Sequence, residues 1–249
     1  MRRIHYDRGY MTISAILMDA GGVLIFPQPD VMRPPLVAAG VSPDHQTLER
    51  AHYHAMSRQD RPDGPEPTKD TWWRGYLLEY VAACGVPDGA CDALATEMAQ
   101  AIAGFGWTHV GPRVTAALRD IAALSIPLAV VSNSDGSVQA ELYRLGVCYA
   151  ADGVAAPAEG IRVEVVLDSA VVGVAKPDPE IFRIALERLG VPAGQEVLHV
   201  GDSLRYDVAG ALAAGIRPVH LDPYGYCPAP AGHTHITSLA EIPELVYTA

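Results

Sequence analysis

Five short apolar runs, each followed by turn-forming or polar residues, constrain the fold more than any other feature of this sequence. They lie at 13–18, 127–131, 163–167, 197–200 and 218–221. Largely apolar runs of about 4–8 residues are typical of strands buried on both faces of a parallel sheet. Between several of these runs, and after them, helical patterns occur at 113–124, 137–145, 179–189 and 207–214. This alternation predicts an α/β fold built on a doubly wound parallel sheet.

The stretch from about 28 to 107 differs because it carries no convincing strand. Its helical patterns lie at 43–57, 70–84 and 88–103, with Pro/Gly-rich breaks beside them. We predict an inserted all-helical cap subdomain at 28–107 and a Rossmann-like core at 11–27 and 108–249. Residues 1–10 lack the apolar segment of a signal peptide and are expected to form a disordered extension. The 148–162 segment is expected to be a surface loop.

Charge and cysteine content narrow the class of function. The net charge of −11 argues against a general nucleic-acid binder but allows an anionic small substrate beside local cations or a metal. No apolar stretch reaches the roughly 18 residues of a membrane span. Sparse cysteines without a C-x-x-C pair indicate free thiols and a cytoplasmic protein. These cysteines are Cys84, Cys91, Cys148 and Cys227.

Reactive or anion-binding residues follow three of the predicted strands, and a lysine lies in a loop. They are Asp19, Ser132, Asn133, Asp202 and Asp207, with Lys176 in the loop. Ligands of open α/β sheets bind beyond the carboxyl ends of the strands. Asp19 can attack phosphorus, and Asp19 and Asp202 are hard oxygen ligands suited to Mg²⁺. Ser132 can bind phosphate oxygens, and Lys176 can orient the nucleophile.

Four motifs in order, "DAGGVL", "VVSNS", "AKPDPEIF" and "GDSLRYDVAGALAAG", resemble those of the haloacid dehalogenase superfamily of hydrolases. The resemblance spans about residues 12–222 and points to the branch with a helical cap inserted after the first strand. It implies Mg²⁺-dependent hydrolysis of a small phosphorylated metabolite through an aspartyl-phosphate on the nucleophile. By this resemblance Asp19 is the nucleophile and Lys176 is the motif lysine. The residues implied to bind the phosphate are Gly22, Ser132, Asn133 and Lys176. Those implied to bind the metal are Asp19, Gly21, Asp202 and Asp207.

Gly21 departs from the pattern of the family's phosphatases, which carry an aspartate there. By that resemblance the glycine carbonyl can still bind the metal, but the proton carrier is missing, and general acid–base catalysis is typically worth about 10²–10⁴-fold. One interpretation is a phosphatase whose proton comes from another group or whose leaving group needs none. The candidate groups are Asp135, His52, His54 and Asp70. The alternatives are a non-phosphatase reaction, such as phosphonate cleavage using Lys69, and a weakly catalytic binding or regulatory protein.

Several other side chains have plainer interpretations. Trp72, Trp73, Tyr76 and Tyr80 are expected to pack in the cap core, with Trp72 or Trp73 nearest the cleft. His52 and His54, two residues apart on a helix, face different directions, so at least one is expected to be exposed. His233 and His235 lie in a late loop. They are not expected to bind a metal, since no further ligand is near them in the sequence.

Overall fold

The computed structural model describes residues 12–59, 68–102, 106–150, 159–228 and 232–247. The predicted extension at 1–10 lies outside them. The strands are β1 (Ala15–Met18), β2 (Phe26–Pro27), β3 (Trp107–His109), β4 (Leu128–Ser132), β5 (Cys148–Ala150), β6 (Ile161–Val163), β7 (Val165–Asp168), β8 (Val197–Gly201), β9 (Arg217–Leu221) and β10 (Thr234–Ile236).

The helices belong to two groups. Those before β3 are α1 (Pro29–Ala38), α2 (His45–Gln59), α3 (Lys69–Ala83) and α4 (Asp88–Ile102). Those after it are α5 (Pro112–Ala123), α6 (Val138–Arg144), α7 (Ser169–Val172), α8 (Pro179–Leu189), α9 (Ala209–Ala213) and α10 (Ile242–Tyr247). Across the described ranges, no helix is long and apolar enough to span a membrane.

Within the described residues, six parallel strands form the main sheet in the order β10-β9-β8-β1-β4-β7. The first strand of the chain is therefore central, with β8 and β4 as its neighbours. Because all strands run in one direction, the residues after β1, β4 and β8 reach the same edge of the sheet. This arrangement confirms the predicted doubly wound, Rossmann-like α/β core.

Side chains of β1 alternate between the two faces of the sheet, as the period of a strand requires. Ile16 and Met18 belong to one buried cluster, and Ala15 and Leu17 belong to another. All four are completely buried, so helices cover both faces. The cap helices enclose a separate apolar core around Met32, Leu36, Tyr76, Leu77 and Met98.

The cap joins the core at a short antiparallel pair, β2 with β3. Helices α1 to α4 all lie between these two strands, as the all-helical prediction requires. Helix α1 was not predicted, because Pro34 and Pro35 lie in its interior and proline disfavours that position. It forms because Met32 and Leu36 are fully buried, so packing outweighs local propensity.

Three parts of the core differ from the sequence prediction. The strand expected at 163–167 is two strands, since Val163 ends β6 and β7 begins at Val165. The 148–162 segment begins in β5 and ends in β6, which pair in parallel; its central residues lie outside those described. The loop expected around His233 and His235 contains β10, a short polar edge strand. Too few residues lie in it to produce an apolar pattern.

Candidate active site

Four charged side chains meet at the carboxyl edge of the main sheet. The Nζ of Lys176 lies 2.8 Å from Oδ1 of Asp19 and 2.7 Å from Oδ1 of Asp207. Asp202 completes this acid cluster, because one carboxylate oxygen from each aspartate lies within 4.8 Å of the others. The Asp19 side chain is 13% exposed, whereas those of Asp202 and Asp207 are 2% and 1% exposed. Asp19 is therefore the carboxylate of the cluster that solvent reaches most easily.

Asp207 has hydrogen-bond donors on both of its carboxylate oxygens. Its Oδ1 lies 2.8 Å from Nε2 of His199 in β8 and also receives Lys176. Its Oδ2 accepts a 3.1 Å hydrogen bond from the backbone N–H of Ser203. Charge-assisted bonds of this kind hold a side chain firmly. Asp207 thus fixes the position of Lys176.

The backbone around Asp207 explains how it reaches the lysine. A π-helical turn, Leu204–Val208, follows Ser203, whose hydroxyl caps the turn. Such turns are frequent at functional sites. A Cβ atom on Gly201 would lie 2.0 Å from Cγ of Asp207, so only glycine at this position admits the carboxylate.

Asp202 contacts the cap. His52 of α2 places Nε2 2.9 Å from Oδ2 of Asp202, and its Nδ1 lies 3.0 Å from the hydroxyl of Tyr76 in α3. When Asp202 is ionised, as it must be to bind a metal ion, it can only accept; Nε2 then donates to Asp202, and the Tyr76 hydroxyl donates to Nδ1. Gly22 lies beneath this contact with φ +72°, and a Cβ there would lie 2.0 Å from Oδ2 of Asp202. Glycine is therefore required there by backbone conformation and by space.

Burial and mutual repulsion set the protonation of the acid cluster. Burial raises the pKa of Asp19 to about 6, against the opposing charge of Lys176. Burial, and then the charge of Asp207, raises the pKa of Asp202 well above its usual range. Burial also acts to raise the pKa of Asp207. The charge of Lys176, followed by the contacts with His199, outweighs burial, so the pKa of Asp207 is lowered. Burial lowers the pKa of His52 to about 3, so its imidazole is neutral and supplies no positive charge.

These charges fit a divalent metal ion. Three carboxylates face one ammonium group, which leaves negative charge uncompensated in a buried site. Carboxylate and carbonyl oxygens are the ligands that Mg²⁺ prefers. Asp207 already accepts three hydrogen bonds, so Asp19 and Asp202 are the carboxylates best placed to hold the ion.

The strand ends beside Asp19 carry the other predicted residues. Ser132 ends β4 and is buried. Asn133 pairs with the backbone of Lys176 in both directions: its Nδ2 donates to the carbonyl at 2.9 Å, and its Oδ1 accepts from the N–H at 2.8 Å. Asp168, opposite Ser132 in β7, accepts a hydrogen bond from the N–H of Gly136. Asn133 thus holds the Lys176 loop, and Asp168 holds the loop that follows Ser132.

An aromatic ring occupies the space beside Gly21. A Cβ atom there would lie 3.3 Å from the ring of Trp107 in β3. That ring also packs against His52 and Tyr76, with centroid distances of 5.3 and 6.2 Å. A Cβ atom at position 21 would require this ring to shift by a few tenths of an ångström.

The cap aromatics largely follow the prediction. Tyr76 and Tyr80 are fully buried, which confirms their core role. Trp72 and Trp73 are half-buried, and the Trp72 ring lies 6.5 Å from that of Tyr206 in the core domain.

Among the candidate proton carriers whose side chains the structure describes, His52 is the one that contacts the acid cluster. His54 packs its ring 5.5 Å from that of Tyr226. Asp135 is exposed, and its Oδ1 accepts from the Ser137 hydroxyl and backbone N–H. The side chain of Asp70 lies outside the described residues, as does that of Lys69. We expected at least one of His52 and His54 to be exposed, and this was wrong. His52 is buried against Asp202, and His54 is half-buried beside the ring of Tyr226.

Sequence reasoning did not single out His199, Asp168 or Trp107. The first two leave a signal, since each is a polar residue within or ending an apolar run that forms a buried strand. Trp107 leaves none, because its position over Gly21 depends on how the chain returns from the cap.

Comparisons with known proteins agree with this geometry. A family model for haloacid dehalogenase-like hydrolases matches residues 13–215. The haloacid dehalogenase-like hydrolase domain-containing protein 3 of Mus musculus is 34% identical over 188 residues, covering 72% of this chain and 69% of the mouse protein. The phosphoserine phosphatase of Thermus thermophilus is 35% identical over 153 residues, covering 60% of this chain and 56% of that protein. This chain thus spans little more than half the length of some curated relatives.

Among solved structures, the putative HAD-hydrolase YfnB from Bacillus subtilis, bound to magnesium, superposes with a TM-score of 0.59. The alignment covers 94% of this chain and 99% of that one at 15% sequence identity, a level that shows the fold alone. The family model matches most of the chain, and on that ground this protein belongs to the haloacid dehalogenase-like hydrolases.

Proposed function

We propose that this protein is a Mg²⁺-dependent phosphatase that hydrolyses a small phosphorylated metabolite through an aspartyl-phosphate on Asp19. The observation that carries the proposal is the contact of Lys176 with both Asp19 and Asp207, beside Asp202. The phosphatases among the relatives support the same class of substrate.

The nucleophile is oriented by contacts on one oxygen. Oδ1 of Asp19 lies 2.8 Å from Nζ of Lys176 and accepts a 2.7 Å hydrogen bond from the backbone N–H of Ala20. Oδ2 is then the oxygen that attacks phosphorus, and the ester oxygen leaves with the bonding electron pair. In the second step water attacks the phosphorus, the Asp19 carboxylate leaves with the electron pair of the O–P bond, and inorganic phosphate departs with the protons of the water. Lys176 neutralises charge on the reacting oxygens.

Asp19 and Asp202, with the carbonyl of Gly21, would hold Mg²⁺, and the ion would shield the phosphate from the carboxylates when bound. Ser132 and the backbone near Gly22 would bind phosphate oxygens. Asn133 would act indirectly, by fixing the Lys176 loop.

Gly21 and Trp107 together determine which substrates suit this site. Position 21 supplies no proton, and the Trp107 ring lies 3.3 Å from where a Cβ atom at that position would be. General acid–base catalysis is typically worth about 10²–10⁴-fold. Aryl and acyl phosphates, whose leaving groups need no proton, should therefore turn over faster than alkyl phosphates.

The test is release of p-nitrophenol from p-nitrophenyl phosphate, with Mg²⁺ or with excess chelator. We expect Mg²⁺-dependent release that Asp19→Asn abolishes. Asp120→Asn, at an exposed carboxylate on α5, should retain full activity as the matched control. Release that persists in chelator or in Asp19→Asn would refute the proposal.

A further inference from the structure

A second group of metal-ligating side chains lies beyond β9, separate from the acid cluster. It comprises His220 in β9, Cys227 and His233 in the following loop, and His235 in β10. One ligand atom from each residue lies within 4.8 Å of all the others. We name it the imidazole–thiol cluster. A metal at His233 and His235 was not predicted from the sequence, because their partners come from the neighbouring strand and loop.

The separation between the Cys227 and His233 ligand atoms matches the edge of a tetrahedral site. Zn–N bonds of about 2.0–2.1 Å and Zn–S bonds of about 2.3 Å place neighbouring ligand atoms roughly 3.3–3.7 Å apart. Sγ of Cys227 lies 3.7 Å from Nε2 of His233. The rings of His233 and His235 stack at 4.4 Å, and each lies near the His220 ring, at 5.3 and 5.2 Å.

Two nitrogens of the cluster have no protein partner. Among the described residues, Nδ1 of His220 and Nε2 of His235 are buried without a hydrogen bond. A buried polar atom without a hydrogen bond costs roughly 1–3 kcal/mol of stability. Two such nitrogens in the same cluster therefore point to a ligand that binds them.

His220 is already oriented as a metal ligand. Its Nε2 lies 3.2 Å from the backbone carbonyl oxygen of Asp202, which can only accept, so Nε2 carries the proton. Its Nδ1 therefore carries the lone pair, and this is the ring nitrogen that has no hydrogen-bond partner among the described residues. Metal-ligating histidines usually donate their second N–H to a carbonyl or carboxylate in this way.

The thiol is also held in place. Asp222 is buried, and its two oxygens accept 2.9 Å hydrogen bonds from the backbone N–H groups of Tyr226 and Cys227. This clamp fixes the loop that carries the thiol. Burial, and then the charges of His220 and His235, lowers the pKa of His233 to about 4, and burial lowers the pKa of His220. Neutral imidazoles are the form that binds metals.

We propose that His220, Cys227, His233 and His235 bind one Zn²⁺ ion in a closed, structural site. Three imidazoles and one thiolate select a borderline-soft tetrahedral ion over Mg²⁺. Four protein ligands leave no open position for a substrate. The ion would join β10 and the loop before it to β9, and His220 would connect it to the backbone of Asp202. This site stands whether or not the acid cluster is a phosphatase.

Co²⁺ is the probe, because it replaces Zn²⁺ and absorbs visible light. The full chain is stripped with chelator, returned to excess Mg²⁺ to occupy the acid cluster, and titrated with Co²⁺. We expect a single equivalent to produce the strong visible bands of tetrahedral Co²⁺ and a thiolate-to-metal band in the near ultraviolet. Zn²⁺ should then displace it stoichiometrically and raise the unfolding temperature.

Variants locate the ion. Cys227→Ser should remove the thiolate band, and His233→Gln should weaken binding at least about tenfold. Neither side chain is fully buried, so circular dichroism should show that both variants fold. His45→Gln, an exposed cap histidine, is the matched control and should bind like wild type. Absence of binding, weak octahedral absorption insensitive to Cys227→Ser, or binding abolished by Asp19→Asn would each overturn the proposal.

Discussion

The acid cluster and the imidazole–thiol cluster occupy the same region of one sheet, yet they differ in every chemical respect. The first joins buried carboxylates and a lysine, and charge holds it together. The second joins imidazoles and a thiol that carry little charge, and two of its nitrogens have no protein partner. Hard oxygen donors suit Mg²⁺, and nitrogen and sulfur donors suit Zn²⁺.

Asp202 connects the two clusters. Its side chain belongs to the acid cluster, and its backbone carbonyl faces His220. One residue therefore serves a charged site through its carboxylate and a neutral site through its main chain. The difference teaches that one edge of a parallel sheet can present two unlike sets of metal-ligating groups, provided that each set is complete and separate.

The largest expected effect comes from removing the lysine that balances the acid cluster. Lys176→Met should lower the free energy of unfolding in chelator by roughly 3–5 kcal/mol, because it leaves buried carboxylates unpaired. Urea denaturation measures this loss. Arg74→Met, which removes an exposed pair with Asp92 on the cap, should cost about 1 kcal/mol or less. Equal losses in the two variants would mean that the acid cluster is not held by charge.

Restoring an acid beside the nucleophile should have the next largest effect. We expect Gly21→Asp to raise alkyl phosphate turnover only weakly, because the new side chain meets Trp107. Gly21→Asp combined with Trp107→Ala should give a gain approaching about 10²-fold. Steady-state rates on matched aryl and alkyl phosphates measure it, with Trp107→Ala alone as the control. No gain in the double variant would show that the proton carrier lies elsewhere.

Substituting His52 tests whether its imidazole holds the cap closed or carries the proton. We interpret the His52–Asp202 contact as the link that holds the cap closed. His52→Gln should then raise KM several-fold for aryl and alkyl phosphates alike. A loss of kcat confined to alkyl phosphates would instead identify His52 as the proton carrier. His54→Gln, two residues along the same helix, is the matched control.

The last expected effect is a difference in the pH dependence of stability between the two clusters in the metal-free protein. The pKa of Asp19 in the fold, about 6, exceeds its ordinary 3.8, so Asp19 makes the free energy of unfolding fall as pH rises between these values. The pKa of His233, about 4, lies below its ordinary 6.5. His233 therefore makes the free energy of unfolding rise as pH rises between these values.

Urea midpoints measured in chelator across this pH range separate the two contributions. Asp19→Asn should make stability rise more steeply with pH, and His233→Gln should make it rise less. Parallel profiles for the two variants would contradict the assignment of opposite slopes.

Much of the fold and of the acid cluster could be predicted because the signals are local. An apolar run buried on both faces forms a strand wherever neighbouring strands accept it, and Asp19, Ser132 and Asp202 lie at or just after strand ends. The carboxyl ends of parallel strands share one edge, so sequence position fixed their approximate location. Helix α1 could not be predicted, because burial of Met32 and Leu36 overrides its interior prolines.

By itself, the sequence determined the strand and helix alternation, the cap insertion and the identity of the carboxylates at the strand ends. Only the tertiary structure decided that His52 reaches Asp202 across 150 residues, that Trp107 covers Gly21, and that a three-residue strand brings His235 to His220. The physical reason is that periodicity records which face of an element is buried. It does not record which distant side chain lies against that face, and that choice follows from packing the whole chain.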